Sequence, residues 1–224
     1  MSFHVYFASN WKDSVNDPRI FPAQFGYGFT ESGMPRFPEK AISDALRILD
    51  DAILPKRIPD TAAIARLAQQ CGNGCFFDFE RAPTQIHAAI IRKLSHELRG
   101  QLLFAAERFM PLSSSLLPLV TAPQRCTNWQ RFAMQTGAHY PKGWVLELIP
   151  CNDSVQMPLG AQGSGKLRDA LCCYQQRGKT IRYFDTWETL SQKMILAREN
   201  GCRAAIGLLE ELQPLMQLER QPFT

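Results

Sequence analysis

Two carboxylates, Asp78 and Glu80, stand two residues apart at the end of the apolar run Cys75-Phe76-Phe77-Asp78-Phe79-Glu80. On a strand, positions two apart share a face. Both carboxyl groups then project to one side, and Phe77 and Phe79 to the other. Neighbouring carboxylates repel each other and each loses solvent, so the pKa of at least one rises. A carboxyl kept protonated near neutral pH is what a general acid requires. The spacing therefore points to acid catalysis, with Glu80 and Asp78 as the candidate catalytic pair. The competing reading has Glu80 paired with Arg81 or Arg108 at a strand rim.

The elements that must position this pair follow from hydrophobic periodicity. Short apolar β-type runs (residues 4–8, 48–54, 75–80, 102–106, 116–121, 144–149, 180–184 and 202–208) alternate with stretches of helical period. Residues 25–29, rich in aromatics and glycine, read as a second strand or a lid. Helices are expected from near Pro38, over 61–70 with Thr61 as cap, after Thr84, over 128–136, 166–176 and 186–200, and at the C-terminus. Such alternation implies parallel strands with right-handed crossovers. An open doubly wound sheet fits the pattern too. Seven or eight units in line favour a (β/α)8 TIM-type barrel, small and irregular, as a single domain over residues 1–224. That length is near the fold's lower limit of about 200 residues.

In a barrel the carboxyl ends of the strands converge on one mouth, where sites are built. Asp50 and Asp51, Glu107, Glu147, Asp185 and Glu210 stand at or just beyond such ends. Glu107, Glu147 and Asp185 are therefore candidate substrate contacts. Acids also complement the dipole of a following helix, which accounts for Asp185 well and Glu210 in part. Tyr27 and Trp187 offer aromatic surface from loops, as do Trp11 and Trp129, and each serves equally as a half-buried packing residue.

Other functions are disfavoured. The net charge of +4 is spread along the chain with no basic stripe, so no nucleic-acid partner is expected. No apolar run is long enough to span a bilayer. The first residues lack the features of a signal peptide, which points to the cytoplasm. The seven cysteines are irregularly spaced, with no C-x-x-C pair and only four histidines. Neither a metal nor a cofactor is expected, and the thiols read as reduced packing residues. Gly160 to Lys166 fits the phosphate-loop pattern G-x-x-x-x-G-K. However, Leu167 stands where a magnesium-binding hydroxyl belongs, and Pro158 interrupts the preceding run. A small-residue loop is the better reading, with contact to an anionic substrate group as its milder functional form.

The segment Asn73-Gly74-Cys75-Phe76-Phe77-Asp78-Phe79-Glu80 resembles the fourth-strand signature of the chitinase-like glycoside hydrolases, family 18, written D-G-x-D-x-D-x-E. Asn73 stands at the first acid, Gly74 at the glycine, Phe76 at the second acid, Asp78 at the third and Glu80 at the catalytic glutamate. Tyr183-Phe184-Asp185 through Leu208 is similar to that family's closing unit, though Ile206-Gly207-Leu208 lacks its tryptophan. No Met-x-Tyr is found on a middle strand; Trp144-Val145-Leu146-Glu147 is nearest in place. The resemblance implies a barrel and substrate-assisted hydrolysis of an N-acetylhexosamine glycoside, in which the substrate's acetamido oxygen is the nucleophile. Carried across, Glu80 protonates the leaving oxygen and Asp78 orients the acetamido group. The alternative is a catalytically inactive barrel that binds a carbohydrate or a partner protein.

Overall fold

The computed structural model describes residues 3–9, 21–123 and 128–218. The chain falls into two compact units, His4–Val120, and Thr121–Thr224 together with Met1–Phe3. Each is described by itself.

The first unit holds β1 (His4–Ser9), β2 (Phe21–Phe29), the short β3 (Pro35–Arg36), β4 (Leu46–Asp50), β5 (Cys75–Asp78), β6 (Leu103–Ala106) and β7 (Leu117–Thr121). Except for β3, which is antiparallel to β2, consecutive strands pair in parallel. Strands covered on both faces read as unbroken apolar runs, as in β4, β5 and β6. Two helices cover one face: α1 (Thr61–Ala68) and α2 (Gln85–Glu97). Asp60, not Thr61, caps α1, its carboxylate accepting from Ala63 N at 2.7 Å. Thr84 caps α2 as expected. Ile64 and Leu67 of α1 and Ile90, Ile91 and Leu94 of α2 share one core cluster with Leu49, Phe77 and Phe79. A 3-10 turn, Glu107–Leu112, follows β6.

The second unit holds α3 (Trp129–His139), β8 (Trp144–Glu147), β9 (Asn152–Leu167), β10 (Cys172–Phe184), α4 (Trp187–Glu199), β11 (Cys202–Leu208) and α5 (Leu209–Leu218). β8 and β11 pair in parallel. Asn128 caps α3 and Thr186 caps α4. Gly201, at φ +86°, ends the α4 segment as its type suggests.

In strand order, β1, β2, β4, β5, β6, β7, β8 and β11 are the eight strands of a (β/α)8 TIM-type barrel, and β5 is the fourth.

Three local expectations are corrected. No helix starts near Pro38. There the buried Gln24 side chain binds Lys40 O and Ile42 N, and Arg47 binds Ile42 O, so side chains consume the backbone groups a helix would pair. Residues 166–176 are not helical. They belong to the antiparallel β9–β10 ribbon, which turns over 168–171 with Leu171 at φ +47°. Gly160, Gly163 and Gly165 weaken any helix there. The Gly160 to Lys166 stretch is consequently extended, exposed strand with no helix behind it, which removes the phosphate-loop reading.

Candidate functional site

The site in the first unit starts from register. Asp50 at the end of β4 sits opposite Asp78 at the end of β5. The Arg36 guanidinium pairs with Asp50, whose Oδ1 also accepts Ala52 N at 3.1 Å. Alternation along β5 follows the expected pattern. Phe77 and Phe79 are buried toward α1 and α2, and the Phe79 ring packs 4.9 Å from His87 and 5.6 Å from Phe109. Asp78, half-buried, takes the opposite parity with Phe76. The Phe76 ring stacks on Phe104 at 4.8 Å and 7°, so an aromatic pair occupies the position of the resembled family's second acid.

Glu80 follows two residues after Asp78, and its side chain is exposed. Among the described residues its carboxylate has no hydrogen-bond or ion-pair partner. Arg81 and Arg108, the partners in the rim ion-pair reading, donate to backbone carbonyls instead: Arg81 to Ala52 O at 2.9 Å and Arg108 to Phe79 O. The main chain of Glu80 is held firmly. Asp51, 4% exposed, accepts Glu80 N on Oδ1 at 3.0 Å and Arg81 N on Oδ2 at 2.9 Å.

Behind Asp51 lies His87, fully buried at the third position of α2. Its Nδ1 accepts Thr84 N at 3.1 Å. A neutral ring with Nδ1 accepting carries its proton on Nε2, and Nε2 lies 3.2 Å from Asp51 Oδ2. The angle falls short of a hydrogen bond. Burial pushes the His87 pKa down; the Asp51 charge opposes this, and Arg81 and Arg108 add to it. Sequence reasoning placed Asp51 at the mouth without a role and passed over His87. The one local signal was its place three residues after the Thr84 cap.

The remaining candidates fall in different surroundings. Glu107 is exposed and opens the 3-10 turn after β6. Tyr27 is 1% exposed. Its hydroxyl donates to Gln24 and its ring lies under the Arg47 guanidinium, so it is a packing residue rather than a binding surface.

In the second unit, Glu147 is half-buried at the end of β8 and accepts from the Thr121 hydroxyl. Asp185, 3% exposed, has both oxygens on Lys193 Nζ, at 2.7 and 2.8 Å, and also accepts from Cys151 N and Thr189 Oγ1. Its acceptor capacity is consumed internally, which removes it from the substrate contacts. Trp129 is buried with Lys193 Nζ 5.2 Å from its ring. Trp187 is half-buried and lines a cavity of about 850 Å³, together with Lys166, Arg182, Phe184 and Glu211. Trp11 and Cys126 lie outside the described residues.

Among the described residues, no three His, Cys, Asp or Glu side chains gather as a metal site, and no helix is long and apolar enough to cross a membrane.

No protein-family model matches the chain, and no curated protein matches it. Solved structures do. The spore cortex-lytic enzyme SleL of Bacillus cereus is similar with a TM-score of 0.57 at 9% identity, over 96% of this chain and 74% of that one. The Group IV chitinase of Ostrinia furnacalis gives 0.54 at 9% identity, over 94% of each chain. The chitinase-like agglutinin RobpsCRA of Robinia pseudoacacia gives 0.53 at 10% identity, over 83% of this chain and 87% of that one. The chain therefore has a divergent form of the chitinase-like, family 18 barrel fold, in agreement with the resemblance of residues 73–80.

Proposed function

We propose that this chain is a glycoside hydrolase-like barrel acting on an N-acetylhexosamine-containing sugar by substrate-assisted acid catalysis, with Glu80 as the acid and Asp78 as its partner. The observation that carries this reading is the Glu80 side chain: exposed, unpaired among the described residues, and rooted on a main chain fixed by Asp51 at the end of the fourth parallel strand. In the proposed reaction the substrate's acetamido oxygen attacks the anomeric carbon. Glu80 gives its proton to the departing glycosidic oxygen, and Asp78 holds the acetamido group. Water then opens the cyclic intermediate and returns a proton to Glu80, in the manner of the substrate-assisted glycosidases. Glu107, in the same unit, is a proposed sugar contact. The likeness to chitinases and to a cortex-lytic enzyme supports the choice of substrate class. A cytoplasmic setting, part of the same proposal, favours short oligosaccharides or glycoconjugate fragments over a polymer.

A second reading, a sugar-binding barrel without turnover, is favoured by one observation. Phe76 stacked on Phe104 can neither share a proton with Asp78 nor accept a hydrogen bond from it. A chitinase-like agglutinin is among the structural neighbours.

Turnover of short N-acetylglucosamine oligosaccharides by the wild type and Glu80→Gln decides between them. Loss of the general acid should lower turnover on the order of 10²-fold or more. Binding without turnover in the wild type would select the second reading.

A further inference from the structure

We propose that Asp51 is the positioning residue for Glu80: its buried carboxylate clamps the two backbone N–H groups that bracket the Glu80 side chain, and the buried His87 ring packs beside that carboxylate with Nε2 3.2 Å away. The role assigned to Glu80 rests on the functional reading above; the clamp itself does not.

The geometry is specific. Glu80 lies beyond the last paired residue of β5, where the ladder no longer restrains the main chain. Something else must fix its φ and ψ, and hence the direction of its side chain. Asp51 does so with one oxygen on the N–H of Glu80 and the other on the N–H of Arg81. Charge-assisted hydrogen bonds of this kind are roughly twice as strong as neutral ones. The Arg81 guanidinium on Ala52 O and the Arg108 guanidinium on Phe79 O tie the same turn from two more directions.

A carboxylate this buried needs more than two amides to satisfy it. His87 Nε2 lies 3.2 Å from its second oxygen, near enough for electrostatic attraction though not aligned as a hydrogen bond. Because the ring's other nitrogen accepts Thr84 N, the helix cap sets the tautomer that carries its proton on Nε2. The hydrogen bonds of Asp51 in this turn go to the main chain of Glu80 and Arg81. Asp51 acts through the backbone, and its effect belongs in the orientation of the acid rather than in the binding of sugar.

The test pairs kinetics with amide exchange. In Asp51→Asn one acceptor becomes an NH2 group facing either the Glu80 N–H or, in the other amide orientation, the Arg81 N–H and His87 Nε2. The Glu80 and Arg81 amides should then exchange at least about 10-fold faster, as local opening loses its restraint. With N-acetylglucosamine oligosaccharides, kcat should fall toward that of Glu80→Gln, on the order of 10²-fold for an acid displaced by about 1 Å, while KM stays within about 3-fold. Asp51→Asn combined with Glu80→Gln should be no slower than Glu80→Gln alone, since both changes disable one group.

A second pair of variants covers the case where Asp51→Asn does not fold. His87→Gln and His87→Leu both lose the ring acceptor for Thr84 N, but only glutamine keeps an N–H for Asp51. Protection of the two amides should be retained in His87→Gln and lost in His87→Leu. Unchanged amide exchange in Asp51→Asn, or equal exchange in the two His87 variants, overturns the clamp. A fall in kcat no larger than the unfolded fraction of Asp51→Asn accounts for, as measured by circular dichroism under the assay conditions, overturns its link to Glu80. If the wild type turns over none of the oligosaccharides, the functional reading fails, and the amide measurements still decide the clamp.

Discussion

His87 gives the residue scale a measurable signature. Burial holds its pKa below the ordinary value of about 6.5. Asp51, Arg81 and Arg108 are the charged groups that act on it, with Thr84 on its other nitrogen and the Phe79 and Phe109 rings around it. Below about pH 6.5 the unfolded chain takes up a proton that the folded chain refuses, so stability falls with falling pH until the folded pKa is passed. We expect the wild-type Tm to drop between pH 7 and pH 5 more steeply than that of His87→Gln. The other three histidines are common to both proteins. Parallel curves would remove His87 as the cause. At this scale the Asp78 and Glu80 pair was legible because strand parity is local. The Asp51 clamp was not, because it joins residues 29 and 30 apart in sequence. Asp185 was expected at the end of a barrel strand, but residues 180–184 belong to the antiparallel β9–β10 ribbon, and Lys193, eight residues on, consumes both oxygens of Asp185. A helix register can suggest such a partner but cannot show which acid it satisfies.

At the scale of elements, β5 owes its position to Gly74. That residue sits at φ +109°, and a Cβ there would stand 2.2 Å from Leu102 O. The same carbonyl accepts Cys75 N at 2.9 Å, the first bond of the strand that carries Asp78. Gly74→Ala should cost about 2 kcal/mol or more, from backbone strain and the clash together. Gly72→Ala, which meets nothing within 4 Å, should change stability by no more than about 0.5 kcal/mol. Denaturant melts of both variants check the contrast; equal losses would contradict the close-approach argument. The glycine of the resembled motif thus has a steric reason here. Elements with strong local signals, such as the capped α2 and α4, were legible. The β9–β10 ribbon was not. Its strands alternate weakly because most of their side chains are exposed, so no apolar period opposed the helical reading. The irregular stretch after Pro38 was misread for a different reason: Gln24 and Arg47 bind its backbone from other elements.

At the scale of the whole chain, the cysteines report burial in both units. Cys71 and Cys75 in the first, and Cys151, Cys172, Cys173 and Cys202 in the second, are all buried free thiols. Burial pushes Cys172 up to about 11 and Cys202 up to about 12, and raises Cys75 well above the usual range, with Cys71 beside it adding to the effect. The thiolate is the reactive species. Native protein treated with iodoacetamide at pH 8 should therefore leave these six unmodified while denatured protein reacts at all of them, as peptide mass spectrometry would show. Rapid native labelling of Cys172 or Cys202 would mean that their surroundings open. The barrel class was legible in the alternation of strands and helices, which needs no side-chain detail. No linker or change of composition marks residue 121, where the two compact units meet in sequence.

The β9–β10 ribbon carries one more consequence. Among the described residues it is a two-stranded sheet, so each strand has one side with no ladder partner. Such borders are templates for strand addition from another molecule. Leu159, 81% exposed, sits on one of them. The deterrents are also present: Pro158 on β9, Arg177, Lys179 and Arg182 on β10, and the register shift between Gly178 and Thr180 that distorts the ladder. Like charges on two copies would repel at this ribbon, and raised ionic strength is the condition under which that repulsion weakens.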